Sequence, residues 1–216
     1  MSIRNKSILL ISLIVTTDQV SKLWVKTNMR LGEQFNIIGD WFIIHFTENP
    51  GMAFGIEFWG EYGKLVLSLF RIVAIVLLIL YIRWLIKKRM PNGAILGISL
   101  ILAGAIGNIL DSMFYGILFN ESYYEPATFL PPDGGYASFL HGRVVDILYF
   151  PIIRTAWPDW FPFVGGQPFV FFRPVFNIAD SAITIGVTYL VLFQRNVLFD
   201  DDKQKKRSVD SPETSE

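Results

Sequence analysis

The chain has 216 residues, 52% of them hydrophobic, with a mean hydropathy of +0.41 and a formal net charge of zero. Length alone allows one or two soluble domains, but that apolar fraction points to a small integral membrane protein. The absence of cysteine excludes disulfides, thiolate nucleophiles, Fe–S clusters and Cys-ligated zinc together, and no nucleic-acid partner is expected.

The N-terminal stretch "MSIRNKSILLISLIVTTDQV" sets basic residues before an apolar run, Ile8–Val15, in the outline of a secretory signal peptide. No small-x-small cleavage site follows, and Asp18, Lys22 and further apolar residues continue the pattern. It therefore reads as an uncleaved first membrane helix over about residues 7–25. The segment 26–64 contains "DWFIIHFTENPGMAFGIEFWG", where Phe42, Ile44 and Phe46 alternate at strand period before a Pro-Gly turn, so a small β element is expected there. Residues 65–86 form the clearest span, about 33 Å of helix against a hydrocarbon core of about 30 Å. Two more spans are expected at 93–115 and 175–194. Between them, segment 116–174 holds eight of the eleven prolines. Proline forbids a spanning helix, while Trp and Tyr favour the headgroup level, so this segment reads as a Pro/aromatic-rich interfacial loop. Residues 200–216 are charged and lack aromatics beyond Asp200, which suits a disordered tail.

The expected fold is thus an all-α membrane bundle of four transmembrane helices with a small extracytoplasmic β element, one domain over residues 1–199. Eleven of nineteen basic residues fall in the N-terminus, the 83–89 turn and the tail, whereas the two long connections hold six. By the positive-inside rule both termini are cytoplasmic and segments 26–64 and 116–174 lie outside.

An ionised Asp at a helix centre costs roughly 2.5 to 3.5 kcal/mol, so polar residues within spans carry information. Asp18, Asp111 and Asp180 lie in or at the ends of three spans, and the topology brings them, with Asp146, to one depth near the outer face. Asp18 and Lys22, four apart, suit an internal ion pair. Asn177 and Asp180 suit a helix cap and first-turn acid. Asn108 and Asp111, near Gly104 and Gly107, suit close helix packing. Asp146 in "HGRVVDILYF" has no such local duty. Two aspartates in a low-dielectric cleft share one proton, which supplies a base for water and an acid for a carbonyl. No HExxH or GxSxG motif occurs, and His45 and His141 read as interfacial or loop residues. Arg71 is expected to snorkel outward.

The stretches "TDQVSK" (17–22), "ENPGMAFGI" (48–56), "AGAIGNILD" (103–111), "GRVVDILYF" (142–150) and "FNIADSAITIG" (176–186) resemble, in order, motifs of the lipoprotein signal peptidases, or signal peptidase II. These are four-span aspartyl peptidases of the bacterial cytoplasmic membrane. The resemblance implies that Asp146 and Asp180 are the catalytic pair and that Asp18, Asn49, Asn108, Asp111 and Asn177 line or brace the site; Lys22, Gly55 and Arg143 are further candidates for substrate binding or support. It implies that Asn49–Gly55 forms part of an outer β cradle, that diacylglyceryl-modified prolipoproteins are cut before their lipidated cysteine, and that no metal or other cofactor is needed. The family commonly has Arg directly after the Asp of its GNxxD motif. Here Ser112 stands there, and Arg143 and Arg71 are the candidates to supply the missing charge. Segments 117–140 and 151–173 also look longer than usual. The main rival reading is a proton- or cation-coupled carrier; a third is a scaffold whose polar residues are packing glue. Membrane lipids are expected partners, and a monomer is expected.

Overall fold

A computed structural model of the chain describes residues 1–50, 60–171 and 174–195. Gly55 and the 200–216 tail lie outside the described residues. Chain order is α1 (Ile3–Asn28), β1 (Gln34–Ile38), β2 (Phe42–Asn49), α2 (Gly60–Lys87), α3 (Asn92–Leu110), a π-helical turn (Asp111–Tyr115), α4 (Gly116–Leu118), β3 (Val144–Tyr149), β4 (Ile153–Ala156), β5 (Pro168–Phe171), β6 (Val175–Phe176) and α5 (Ile178–Phe193).

Three stretches are long and apolar enough to cross a membrane: Ile3–Asn28, Gly63–Lys87 and Asn92–Leu118. Leu9, Leu13, Phe70, Leu77, Leu80 and Phe193 are exposed along the helices, a display that suits lipid contact and would aggregate in water.

The helix limits differ from those expected at 7–25, 65–86, 93–115 and 175–194, each for a local reason. α1 starts early because Ser2 caps it, its Oγ accepting from the Asn5 N–H at 3.3 Å. It runs on to Asn28 because Lys22 and Lys26, which read as the polar end of the span, are fully buried and paired. The Gly60–Lys64 turn, polar enough to read as loop, is already helical. At the far end of α3 the helix passes into the π turn at Asp111 and continues to Leu118. α5 starts at Ile178 because Val175 and Phe176 pair with Tyr149 and Leu148 as a strand, and Asn177 then caps the helix. At 16 residues it is about 24 Å long, shorter than the bilayer core.

α3 sits centrally, packed on α1, α2 and α5. Its contact with α5 is built on small residues. A Cβ at Gly97 would meet the Leu190 side chain at 2.8 Å, one at Gly107 would meet Ala179 Cβ at 2.9 Å, and one at Gly104 would run into the Ala179 carbonyl. Such close backbone approach is how helices associate where lipid removes the hydrophobic drive.

The β structure is larger than the small element expected. β1-β2-β3-β6 form a four-stranded antiparallel sheet, and β4 and β5 form a separate hairpin. One strand of the sheet, β3, and the whole hairpin come from the segment read as an interfacial loop, and β6 comes from the start of the stretch read as the last span. A core of Val25, Met29, Phe46, Tyr115, Phe119, Val145 and Ile147 joins the sheet to the ends of α1 and α3. Both long connections therefore gather at one end of the helices, and the Lys87–Asn92 turn marks the other.

Candidate active site

Asp146 reaches the site from the sheet. Residues 144–147 of β3 are all buried, and strand alternation sends Val145 and Ile147 into the apolar core and Asp146 to the opposite face. There its Oδ1 accepts from Asn177 Nδ2 at 2.7 Å. The partner strand β2 is irregular between Ile44 and Thr47, the residue paired with Asp146. Such bulges re-aim side chains locally.

Asp180 arrives from the first turn of α5. Its backbone N–H donates to Asn177 Oδ1 at 2.8 Å, the N-cap bond, and its Oδ1 accepts from Asn108 Nδ2 at 2.7 Å. The two asparagines also touch, Asn177 Nδ2 lying 3.2 Å from Asn108 Oδ1. One oxygen of each aspartate is thereby held by an amide. The other oxygen of each receives no hydrogen bond from the described residues. Burial, and next the charge of Asp180, push the Asp146 carboxyl up to about 7, against the opposing influence of Lys22 and Asn177.

Beneath this pair lies a second layer. Lys22 Nζ is 2.8 Å from Asp18 Oδ2, 2.9 Å from Asp111 Oδ2 and 3.1 Å from Asn108 Oδ1. An ammonium in low dielectric costs several kcal/mol unless fully paired, and three acceptors match its three hydrogens. The ion pair expected within α1 is thus present but also ties α1 to α3. Asp18 Oδ1 accepts the Ala179 N–H at 2.9 Å, satisfying a first-turn donor of α5 that has no partner in its own helix. Asp111 Oδ2 accepts the Val145 N–H at 3.1 Å, which fixes β3 directly beside Asp146. The geometry brings together Asp18, Lys22, Asn108, Asp111, Asp146, Asn177 and Asp180, with α1, α3, β3 and α5 each contributing.

Residues 10–195 match the family model described as Signal peptidase (SPase) II. The chain belongs to the signal peptidase II family. It is similar to a protein named lipoprotein signal peptidase in Porphyromonas gingivalis, 51% identical over 209 residues, 96% of this chain and 91% of that relative. A relative of the same name in Amoebophilus asiaticus is 44% identical over 187 residues, covering 85% of this chain and 75% of its own length. Two solved structures, each titled a bacterial membrane enzyme, share the fold. One has a TM-score of 0.57 at 24% identity, covering 89% of this chain and 90% of its own. The other has 0.56 at 26% identity, covering 87% and 91%. The carrier reading finds no support among these relatives.

Against the expectations drawn from the signal peptidase II motifs, Arg143 lies elsewhere. Its guanidinium forks onto Glu121 at 2.7 and 3.0 Å and reaches Glu48 at 3.0 Å. Glu48 also pairs with buried Lys26, which meets Ser122 Oγ at 2.8 Å. Tyr136 lies 4.8 Å from both cations, and its hydroxyl accepts the Arg143 N–H at 2.7 Å. Arg143 therefore ties the outer segments to each other and not to the aspartates. Arg71 does not simply snorkel: it is half-buried, with Nη1 donating to Ser112 Oγ at 3.2 Å. Asn49 ends β2 opposite Val144, two residues before Asp146. The sequence reading missed Gln19, whose Nε2 lies 2.8 Å from Asp111 Oδ1, 3.2 Å from Asp18 Oδ2 and 3.1 Å from the Gly107 carbonyl. An amide directly after Asp18 and three residues before Lys22, within an apolar span, was the available signal.

Proposed function

We propose that this chain is an aspartic endopeptidase that removes signal peptides from diacylglyceryl-modified prolipoproteins, cutting before the lipidated cysteine, with Asp146 and Asp180 as the catalytic pair. The observation carrying this reading is that each carboxylate has one oxygen held by an asparagine amide, while its other oxygen is left for a reacting group. One ionised carboxylate takes a proton from water as the water oxygen attacks the scissile carbonyl carbon. The other, protonated, donates to the carbonyl oxygen and stabilises the charge developing there. The pair titrates as a unit, so acid and base are roles of the pair. Asn108 and Asn177 orient it; Lys22, Asp18 and Asp111 hold the orienting residues in register.

The protein is one transmembrane domain, a monomeric four-helix bundle of the bacterial cytoplasmic membrane. The short α5 completes the bundle because its capped end meets the sheet, which takes up the remaining depth. Both termini face the cytoplasm, since the basic turn and tail do. The cleft then lies near the outer face, where an acylated substrate reaches it sideways from the lipid. The β4–β5 hairpin rests on that face: Trp160 and Phe163 are 78% and 100% exposed, as interfacial aromatics would be.

The test uses the full chain in detergent with a lipidated precursor peptide. Asp146→Asn and Asp180→Asn are each expected to lower kcat on the order of 10³-fold or more while the fold survives. Cleavage by either folded variant near the wild-type rate rules the pair out.

A further inference from the structure

The charges around the proposed pair do not balance by the lysine alone. Lys22 is engaged by Asp18 and Asp111 in the lower layer, which leaves the ionised state of Asp146 and Asp180 without a cation of its own. Among the described residues, the next basic group whose charge the pair acts on is Arg71 of α2. An arginine in a membrane helix is expensive, and such residues mark function or a partner. Among the described residues no ion pair engages Arg71. The carboxylates whose charge acts on it are, from the strongest, Asp180, Asp111 and Asp146.

Its position is set by one hydroxyl. Ser112 Oγ donates its single hydrogen to the Asn108 carbonyl at 3.2 Å, so its lone pairs remain to accept Arg71 Nη1 at 3.2 Å. Asn108 is the residue whose amide holds Asp180. A serine following Asp111 therefore lets a guanidinium from α2 approach a site otherwise walled by α1, α3, β3 and α5.

We infer that Arg71, docked on Ser112, is the positioning cation of the Asp146–Asp180 pair: it stabilises the ionised form of the pair and draws α2 onto the cleft. The inference rests on the reading of that pair as catalytic. The charged groups facing the pair are Asp18 and Lys22 of α1, Asp111 of the π turn and Arg71 of α2. Lys64, about two turns earlier on α2, feels Arg143 first, then Glu48, and Arg71 least. Removing Arg71 therefore takes away a positive charge that no other described neighbour replaces, and the pair holds its protons to higher pH.

The test measures kcat, KM and the pH-rate profile for the full chain in detergent with a lipidated precursor peptide. Arg71→Gln keeps a donor for Ser112 and loses the charge. It is expected to lower kcat about tenfold, leave KM within about twofold, and move the profile about one unit to higher pH, one unit being a tenfold change in proton occupancy. Arg71→Lys is expected to restore the profile, as is Ser112→Arg placed in the Arg71→Gln background. A profile unchanged in Arg71→Gln overturns the inference, as does a loss that neither cationic variant recovers, which marks a purely structural tie. Asp146→Asn and Asp180→Asn run alongside: if they are dead while Arg71→Gln behaves as wild type, only the role of Arg71 fails. If either cleaves, the pair itself fails.

Discussion

Asn177 shows how one side chain serves the local helix and the site together. Its oxygen caps α5 and its amide holds Asp146, so its removal has two separable effects. Losing the cap costs about 1 kcal/mol of stability. Losing the amide removes a stabiliser of the ionised Asp146 carboxylate, whose proton affinity already stands at about 7 against an ordinary 3.8. The sign follows: a carboxyl raised in the folded state keeps its proton through a window where the unfolded chain has released it, so its contribution to stability falls as pH rises from about 4 to 7. In the proposed mechanism the alkaline limb of kcat is the loss of the shared proton near pH 7. Asn177→Ala is expected to move that limb upward and to lower the melting temperature; a limb that stays in place separates Asn177 from the proton. The convergence of the four acids was legible in the sequence because acids within apolar spans need partners. Arg143 was misplaced for an equally physical reason. It stands an odd number of residues from Asp146, so extended backbone turns the two side chains to opposite faces.

At the scale of elements, the site depends on how closely α3 and α5 approach. A Cβ on Gly107 would sit 2.7 Å from Asp18 Oδ2 and 2.9 Å from Ala179 Cβ. Gly107→Ala therefore strikes both the seam and the Asp18 bond that anchors the start of α5. Overpacking of this kind costs about 1 to 3 kcal/mol. A clear drop in melting temperature is expected, together with a fall in kcat, whereas Val191→Ala on the exposed side of α5 should change neither by much. Equal melting of the two variants would mean that the seam is slack. Helices were legible because their apolar runs are long, but their ends were not, since Lys22 and Lys26 look like exits from the membrane until their buried partners are seen. β3 was hidden differently: buried on both faces, "VVDILY" has no alternating pattern to mark it as a strand.

For the whole molecule, the proposed function makes the arrangement of its two ends decide how a lipidated substrate would meet the pair. The sheet, the hairpin and the starts and ends of the helices around Asp146 and Asp180 lie at one end; the exposed basic turn at Lys88 lies at the other. The proposed orientation follows the positive-inside rule, and the cysteine-free sequence makes it directly measurable, because any introduced thiol is the sole thiol in the chain. Three single-cysteine variants report three levels: Lys88→Cys on the turn, Asp133→Cys on the exposed outer loop and Phe163→Cys at the hairpin tip. In intact cells a membrane-impermeant maleimide is expected to label position 133 at once and position 88 only after permeabilisation. A nitroxide at position 163 is expected to collide with oxygen more than with a water-soluble relaxer, as it would at the headgroup boundary. Labelling of position 88 from outside would invert the molecule and place the aspartates on the cytoplasmic face. A fully water-exposed position 163 would leave orientation intact but lift the hairpin off the lipid. The aromatic tip would then be free to contact the substrate or another protein instead of anchoring the rim of the cleft.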